Sequence, residues 1–210
     1  MKKLLSTLFL LFFTIFFSQE YQFDYKLTYK SISKERENTF TQFVNSKNPN
    51  IYVFFFKNQN DVYARLLDYD RNIGHTFHVI HKNEGSEFIY LDSNKSLAVD
   101  CIIKNVITEK LQNDEYDYKI SFDYKYNYSP KKKMIFKIKL KNFESNLVLN
   151  YPMDFHIKSK KEIFSKLFDL EKGNYFVDKV MYNSSFLKES SEIEKINLKI
   201  VLPNQLNFTK

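Results

Sequence analysis

The chain has 210 residues, with 32 Lys and Arg against 25 Asp and Glu, and a formal charge of +7. Its single cysteine, Cys101, excludes an internal disulfide, and its three glycines, Gly74, Gly85 and Gly173, form no G-x-G or Walker pattern through which backbone could cradle a phosphate. Phe, Tyr, Lys, Asn and Ile dominate the composition; all have A/T-rich codons, so aromatic abundance alone is no argument for function.

Lys2 and Lys3 precede an apolar run, Leu4 to Phe17, broken only by Ser6 and Thr14, and Ser18 supplies a small residue before Gln19-Glu20. This is the layout of a cleaved secretory signal, and the run is short of the ~20 residues of a membrane-spanning helix. An uncleaved anchor is the alternative, because Phe16 is a poor residue two places before Ser18. The sequence therefore predicts a signal peptide over 1–18 and a single antiparallel β domain over 19–210. That domain would be exported, periplasmic or extracellular, with no transmembrane segment in the mature chain. Loss of Lys2 and Lys3 lowers the charge from +7 to +5, a mild excess that for an exported protein suits anionic glycans or lipid headgroups rather than nucleic acid.

From Tyr21 to Tyr29 apolar and polar residues alternate strictly, the period of a half-buried antiparallel strand. Weaker strands are predicted at Thr39–Val44, Val62–Tyr69, Thr76–His81 and Glu87–Leu91, divided by segments bearing Asn, Asp and Gly. Ile51–Phe56 is apolar at all six positions, which calls for cover on both faces. Ala98–Ile107 fits either a helical stripe or, by its β-branched content, a strand. Between Tyr116 and Asn142 lies a hairpin: matching the aromatic face of the first strand to Met134, Phe136, Ile138 and Leu140 pairs Tyr128 with Met134, Tyr126 with Phe136, Tyr124 with Ile138 and Phe122 with Leu140. On its outer face this register sets Asp123 against Lys139. One helix is predicted at about Lys160–Leu170, capped by the Ser159/Glu162 box, carrying the stripe Ile163, Phe164, Leu167 and Phe168, and stopped near Gly173. It is expected to pack over or near Ile51–Phe56. Strands near Tyr175–Tyr182 and Ile193–Leu202 close the chain, with a polar loop, Asn183–Ser191, between them.

Candidate chemistry is sparse. His75, His78 and His81 invite a metal, but on a strand His78 points away from the other two, which stand roughly 20 Å apart. Asp68–Asn72 has the alternating oxygens of a calcium loop, yet its sixth position is Ile73 and its twelfth Val79, so a hairpin turn is the simpler reading. No G-x-S-x-G elbow and no H-E-x-x-H occurs, and no catalytic, cofactor or metal residue is assigned. Cys101, set among Val99, Ile102 and Ile103, reads as a buried small hydrophobe.

The fold class that follows is mainly β: a single curved antiparallel sheet or half-barrel with one helix packed on it. Its strand pattern resembles, in architecture only, the half-barrels of periplasmic lipoprotein carriers. Many tyrosines share faces with Phe, Leu and Ile, and several buried hydroxyls cannot easily all find partners in one small core. A groove or cavity would satisfy them while the rings supply apolar contact. The functional expectation is a non-enzymatic, ligand-binding β protein for a lipid or other amphipathic ligand, with Tyr25, Tyr29, Tyr118, Tyr124, Tyr126 and Phe136 as its candidate residues. The basic row Lys137, Lys139 and Lys141 is either a solvated edge or a patch for an anionic envelope polymer. The alternatives are an envelope structural or interaction protein without a small ligand, and an unrecognised hydrolase.

Overall fold

A computed structural model describes residues 19–33, 37–58, 60–83, 85–95, 101–126, 129–153, 155–183 and 186–202; the segment 1–18, expected from its sequence to be a signal peptide, lies outside them. Eleven strands are present: β1 (Glu20–Ile32), β2 (Glu37–Val44), β3 (Ile51–Asn58), β4 (Asp61–Asp68), β5 (Ile73–Lys82), β6 (Gly85–Lys95), β7 (Cys101–Lys110), β8 (Tyr118–Tyr126), β9 (Lys132–Asn142), β10 (Tyr175–Tyr182) and β11 (Phe186–Val201). They form one antiparallel sheet that does not close, in the order β6-β5-β4-β3-β2-β1-β11-β10-β9-β8-β7. One helix, α1 (Ile157–Leu170), packs on it beside β7. The predicted fold class is thus the observed one.

Two apolar cores share this sheet. The first lies under α1 and the segment before it: Tyr25, Leu27 and Tyr29 of β1, Ile120 and Phe122 of β8, Phe136 and Ile138 of β9, with Ile163, Phe164 and Leu167 from above. The second gathers Val53, Ala64, Leu66, Phe77 and Val79 with Tyr21, Phe23 and Ile200. Alternation along β2 and β3 feeds both, because successive strand residues point to opposite faces. Val44 and Tyr52 belong to the first core, Phe43, Val53 and Phe55 to the second. That is how the uninterrupted apolar run Ile51–Phe56 is accommodated. Cover by the helix is only local, through Lys160 Nζ set 5.6 Å from the centre of the Tyr52 ring. Along β1 the same row of side chains passes from the second core (Tyr21, Phe23) to the first (Tyr25, Leu27, Tyr29), so the sheet must coil about this strand. Two extra residues in β11, opposite Phe23/Tyr25 and Thr28/Tyr29, supply bulges that increase local twist.

Four expectations are corrected. The hairpin register slides: Ile138 faces Tyr118 rather than Tyr124, Phe136 faces Ile120, Met134 faces Phe122, and Asp123 lies opposite Lys133 instead of Lys139. Face matching fixes only the parity of a register, and a slide of six residues keeps apolar side chains together. The base of the hairpin chooses among the even registers: the Asp117 N–H donates to Ile138 O at 2.9 Å, and Asp117 Oδ2 accepts from the Leu140 N–H at 2.6 Å. The helix starts at Ile157, not Lys160, with His156 Nδ1 as the cap, accepting from the Lys158 N–H at 3.2 Å. Ser159 lies within the first turn and ties it to β7, its hydroxyl donating to Cys101 O at 3.3 Å. The polar stretch after residue 185 is strand, not loop, since Lys188, Glu189 and Ser190 find polar partners across the ladder and Ser190 Oγ donates to Asp178 Oδ1 at 2.6 Å. Cys101 is half-buried at the start of β7 rather than fully enclosed, and burial still pushes its thiol pKa up. The ambiguous segment before Ile107 is strand from Cys101 onward.

Candidate functional site

The first core is open at one end. The helix and the strands enclose Ile138, Val177 and Leu167, whereas at the far ends of β8 to β11 no described residue closes over the sheet face. A groove of about 430 Å³ lies there. Tyr124 and Tyr126 of β8 and Met134 of β9 form one wall; Tyr182 of β10 and Phe186 of β11 form the other; Pro152, Met153 and Phe155 come from the segment leading into α1. The rings interlock edge to face: Tyr124 meets Tyr126 at 5.9 Å and Phe155 at 5.7 Å between centroids. Phe136, buried on β9, is the cross-strand neighbour of Tyr182, their ring centroids 6.0 Å apart, and lies just behind the lining. Lys188 is the one charged residue of the lining among the described residues, its ammonium donating to Pro152 O at 2.9 Å and lying 5.7 Å from the Tyr151 ring centre. The hydroxyls of Tyr182 and Tyr151 meet at 3.4 Å behind this wall, and burial holds the Tyr151 phenol well above its ordinary pKa. The volume and the apolar lining with few polar groups are those of a small-molecule site.

Of the six predicted ligand residues the structure brings two into the groove, Tyr124 and Tyr126 in the wall, and sets Phe136 buried next to the lining residue Tyr182. The other three are elsewhere in the same core. Tyr25 is buried and donates to Glu144 Oε1 at 2.6 Å. Tyr29 is fully buried, edge-on to Tyr151 at 5.3 Å, with its hydroxyl 3.4 Å from Val177 O. Tyr118 donates to Glu171, whose carboxylate also accepts from Tyr175 at 3.2 Å and pairs with Lys110 at 3.2 Å. The expectation that buried tyrosine hydroxyls would lack partners is therefore wrong for these three. Carboxylates and a carbonyl at the margins of the core take them.

Met153, Phe155, Phe186 and Lys188 were not singled out from sequence. A signal for part of them exists: Leu147, Leu149, Tyr151, Met153 and Phe155 recur at every second position before the helix.

The basic row is largely neutralised. Lys137 pairs with Asp114 at 2.6 Å, Lys141 with Asp178 at 3.0 Å, and Lys179, opposite Lys139, with Glu115 at 3.3 Å. His75, His78 and His81 diverge along β5: His75 is buried, His78 approaches Asp61 at 3.5 Å, and His81 meets Ser86 at 2.9 Å on the outside. Asp68–Asn72 is the β4–β5 turn, with Asp68 Oδ1 accepting from the Arg71 N–H at 3.0 Å. Among the described residues no group of three His, Cys, Asp or Glu is placed to hold a metal ion, and no helix is long and apolar enough to cross a membrane.

Fold and groove together define an open-sheet β protein with one covering helix and an aromatic groove at the end of its core. Neither a protein-family model nor a curated protein matches the chain. Among solved structures it is similar to PNGF-II, in both a C2 and a P21 crystal form, each at 15% identity and a TM-score of 0.41. The match covers 90% of this chain and 30% of that one, so the chain spans under a third of that protein's length.

Proposed function

We propose that this protein is a non-enzymatic binding protein whose groove at the end of β8 to β11 takes an amphipathic ligand. The observation that carries the reading is the lining among the described residues: five aromatic or sulfur-bearing side chains on the two strand walls, with the Lys188 ammonium at the edge. Such a groove offers dispersion contact to an apolar body and a positive potential to its polar end. Export and a role in the cell envelope belong to the same reading and rest on the Met1–Ser18 pattern.

The test is titration with the uncharged fluorophore N-phenyl-1-naphthylamine, followed by displacement with lipids. Saturable binding is expected, and Tyr124→Ala, which removes one half-buried wall, is expected to weaken it roughly tenfold, as loss of about 1.4 kcal/mol of aromatic contact implies, with little change in stability. No saturable binding, or equal affinity in the variant, would overturn the reading.

A second reading, an envelope interaction protein, is favoured by one feature. A row of side chains crosses β2 to β5 on the face turned away from the second core: Phe40 and Phe54 stack at 6.1 Å, Phe56 and Tyr63 at 5.5 Å, and Tyr63 and His78 follow at 5.5 Å. Phe56, Ile80, Ile89 and Leu91 on that side of the sheet are exposed. Contiguous exposed apolar surface of this kind marks interaction faces. Concentration-dependent self-association, or loss of a co-purifying partner in Phe56→Ser, would distinguish it from ligand binding.

A further inference from the structure

The second core is also open at one end, and its opening differs chemically from the first. At the Asp68/Ile73 end it is sealed by Tyr21, Phe23, Ile200 and Leu202, with the Tyr21 hydroxyl donating to Asp68 Oδ2 at 2.9 Å. At the opposite end, where β4 begins and β5 finishes, a cleft of about 430 Å³ remains. Its floor is Phe43, Phe55, Val62, Phe88 and, from β11, Leu198. All five are only half-buried, although they are continuous with the buried core below. Phe43 and Phe55 meet edge to face at 4.9 Å, and Phe55 and Phe88 lie 6.1 Å apart, so the floor is an aromatic trough and not a scatter of side chains.

The rim is polar. Among the described residues Lys57, His81, Ser86 and Thr41 stand around the cleft, and none of those lining it is a carboxylate. Lys57 is exposed and makes no ion pair among the described residues. This sets it apart from Lys82 on the neighbouring turn, which pairs with Glu87 at 2.5 Å, and from Lys26, Lys30 and Lys199, which are all paired. Ser86 Oγ, held 2.9 Å from His81 Nδ1, adds a hydroxyl. An apolar trough that ends at an uncompensated ammonium with a hydroxyl and an imidazole beside it complements one class of molecule: a chain with an anionic head.

We infer that the cleft between β2–β6 and Leu198 is a second binding site, for a single-chain amphiphile bearing a carboxylate or phosphate head, with the head at Lys57 and the chain on Phe43, Phe55 and Phe88. The site lies on a different core from the groove proposed above and does not need that groove to function.

Dodecanoate, held below its micelle concentration, is the probe, with dodecan-1-ol as the uncharged control and dodecyl phosphate to separate the two head groups. Calorimetric titration is expected to find two equivalents of dodecanoate on the unaltered protein, of which Tyr124→Ala weakens one about tenfold and leaves the other unchanged. In the Tyr124→Ala background, Lys57→Glu is expected to weaken the other site at least fivefold for dodecanoate and leave dodecanol unchanged, while Lys57→Arg restores binding. Lys57 is exposed and makes no ion pair among the described residues, so neither substitution threatens folding. A single equivalent that Tyr124→Ala weakens would overturn the second site and leave the first standing. A single equivalent sensitive to Lys57→Glu alone would do the reverse. Equal weakening of dodecanol by Lys57→Glu, or no binding of dodecanoate at all, would also overturn the inference. Preference between carboxylate and phosphate identifies the head group.

Discussion

His75 gives the sharpest test of the physical account. It lies in β5 between Leu66 of β4 and Ser93 of β6, 3% exposed, and neither ring nitrogen has a hydrogen-bond partner. The rings of Tyr21 and Tyr90 flank it at 6.0 and 6.1 Å, and the charged groups near it are Asp68 and Arg71. A buried, unpaired polar atom costs about 1–3 kcal/mol. Replacing His75 by Leu removes both such atoms and keeps an apolar side chain in a core of Leu66, Phe77 and Val79, at a repacking cost of up to ~1.5 kcal/mol. A net gain of about 1–2 kcal/mol at pH 7 follows.

The variant also predicts a change in pH dependence. Burial, the largest cause, holds the folded His75 pKa below 6.5. A depressed folded pKa means that the neutral form is favoured in the native state. The contribution is therefore fully present above the unfolded value and is lost as pH falls from about 6.5 through the folded value, by at most ~1.4 kcal/mol per pH unit. Asp68 acts with the opposite sign: burial raises its folded pKa above 3.8, so its share is present at low pH and lost as pH rises. Asp68 remains in both proteins and cancels to first order in their difference. Urea denaturation at pH 7 and pH 5 measures the effect: the advantage of His75→Leu is expected to grow as the pH is lowered. A variant less stable than the parent at pH 7, with the same slope between the two pH values, would show that the imidazole is satisfied in solution and that the burial argument fails.

Gly173→Ala is expected to destabilise by about 1–3 kcal/mol, since a Cβ there would lie 2.8 Å from Tyr175 Cε2, and thermal unfolding reads this directly. A neutral result would mean that the Tyr175 ring moves aside without loss. Cys101 is expected to react more slowly with a thiol reagent in the folded protein than in denaturant, because burial raises its pKa. Equal rates would refute this.

Much of the fold was legible because strand periodicity is a local property. The Tyr21–Tyr29 alternation became β1, and Phe77 and Val79, which share one face of β5, entered the second core; His75 on the same face is buried, although the sequence by default reads its histidines as solvent-facing or in turns. What failed was non-local. Face matching could not tell Tyr124–Ile138 from Tyr118–Ile138, since both put apolar against apolar; backbone bonds at Asp117 decided it. Ser159 and Glu162 satisfy the local rule for a helix cap, but Ser159 has a tertiary partner in Cys101 O, and the helix begins two residues before it. The walls of the groove come from four strands and a loop, so only Tyr124 and Tyr126 could be reached by following faces. Phe186 and Lys188 sit where polar residues hide a strand whose pairing energy is supplied by β10 and β1.

The tyrosines show why a sound local argument reached the groove by a faulty step. The cores are about one aromatic side chain deep, so rings rooted on the sheet deliver their hydroxyls to the margin. There Asp68, Glu144 and Glu171 receive Tyr21, Tyr25 and Tyr118. Each of these carboxylates sits off the strand that bears its tyrosine, on β4 or on the segments flanking β9 and α1, and so each bond ties that strand to a second element. Tyrosine here is chiefly a structural choice. It replaces phenylalanine where a hydroxyl can hold a second element, at about 1.5–3 kcal/mol for a bond to a charged group. Tyr124 and Tyr126 stand apart in a different way: with Met134, Phe155 and Phe186 they line the open volume of the groove. Tyrosine rings that elsewhere fill a closed core here border space, and that contrast within one core, rather than the number of tyrosines, is what marks the groove as a place for something else to bind.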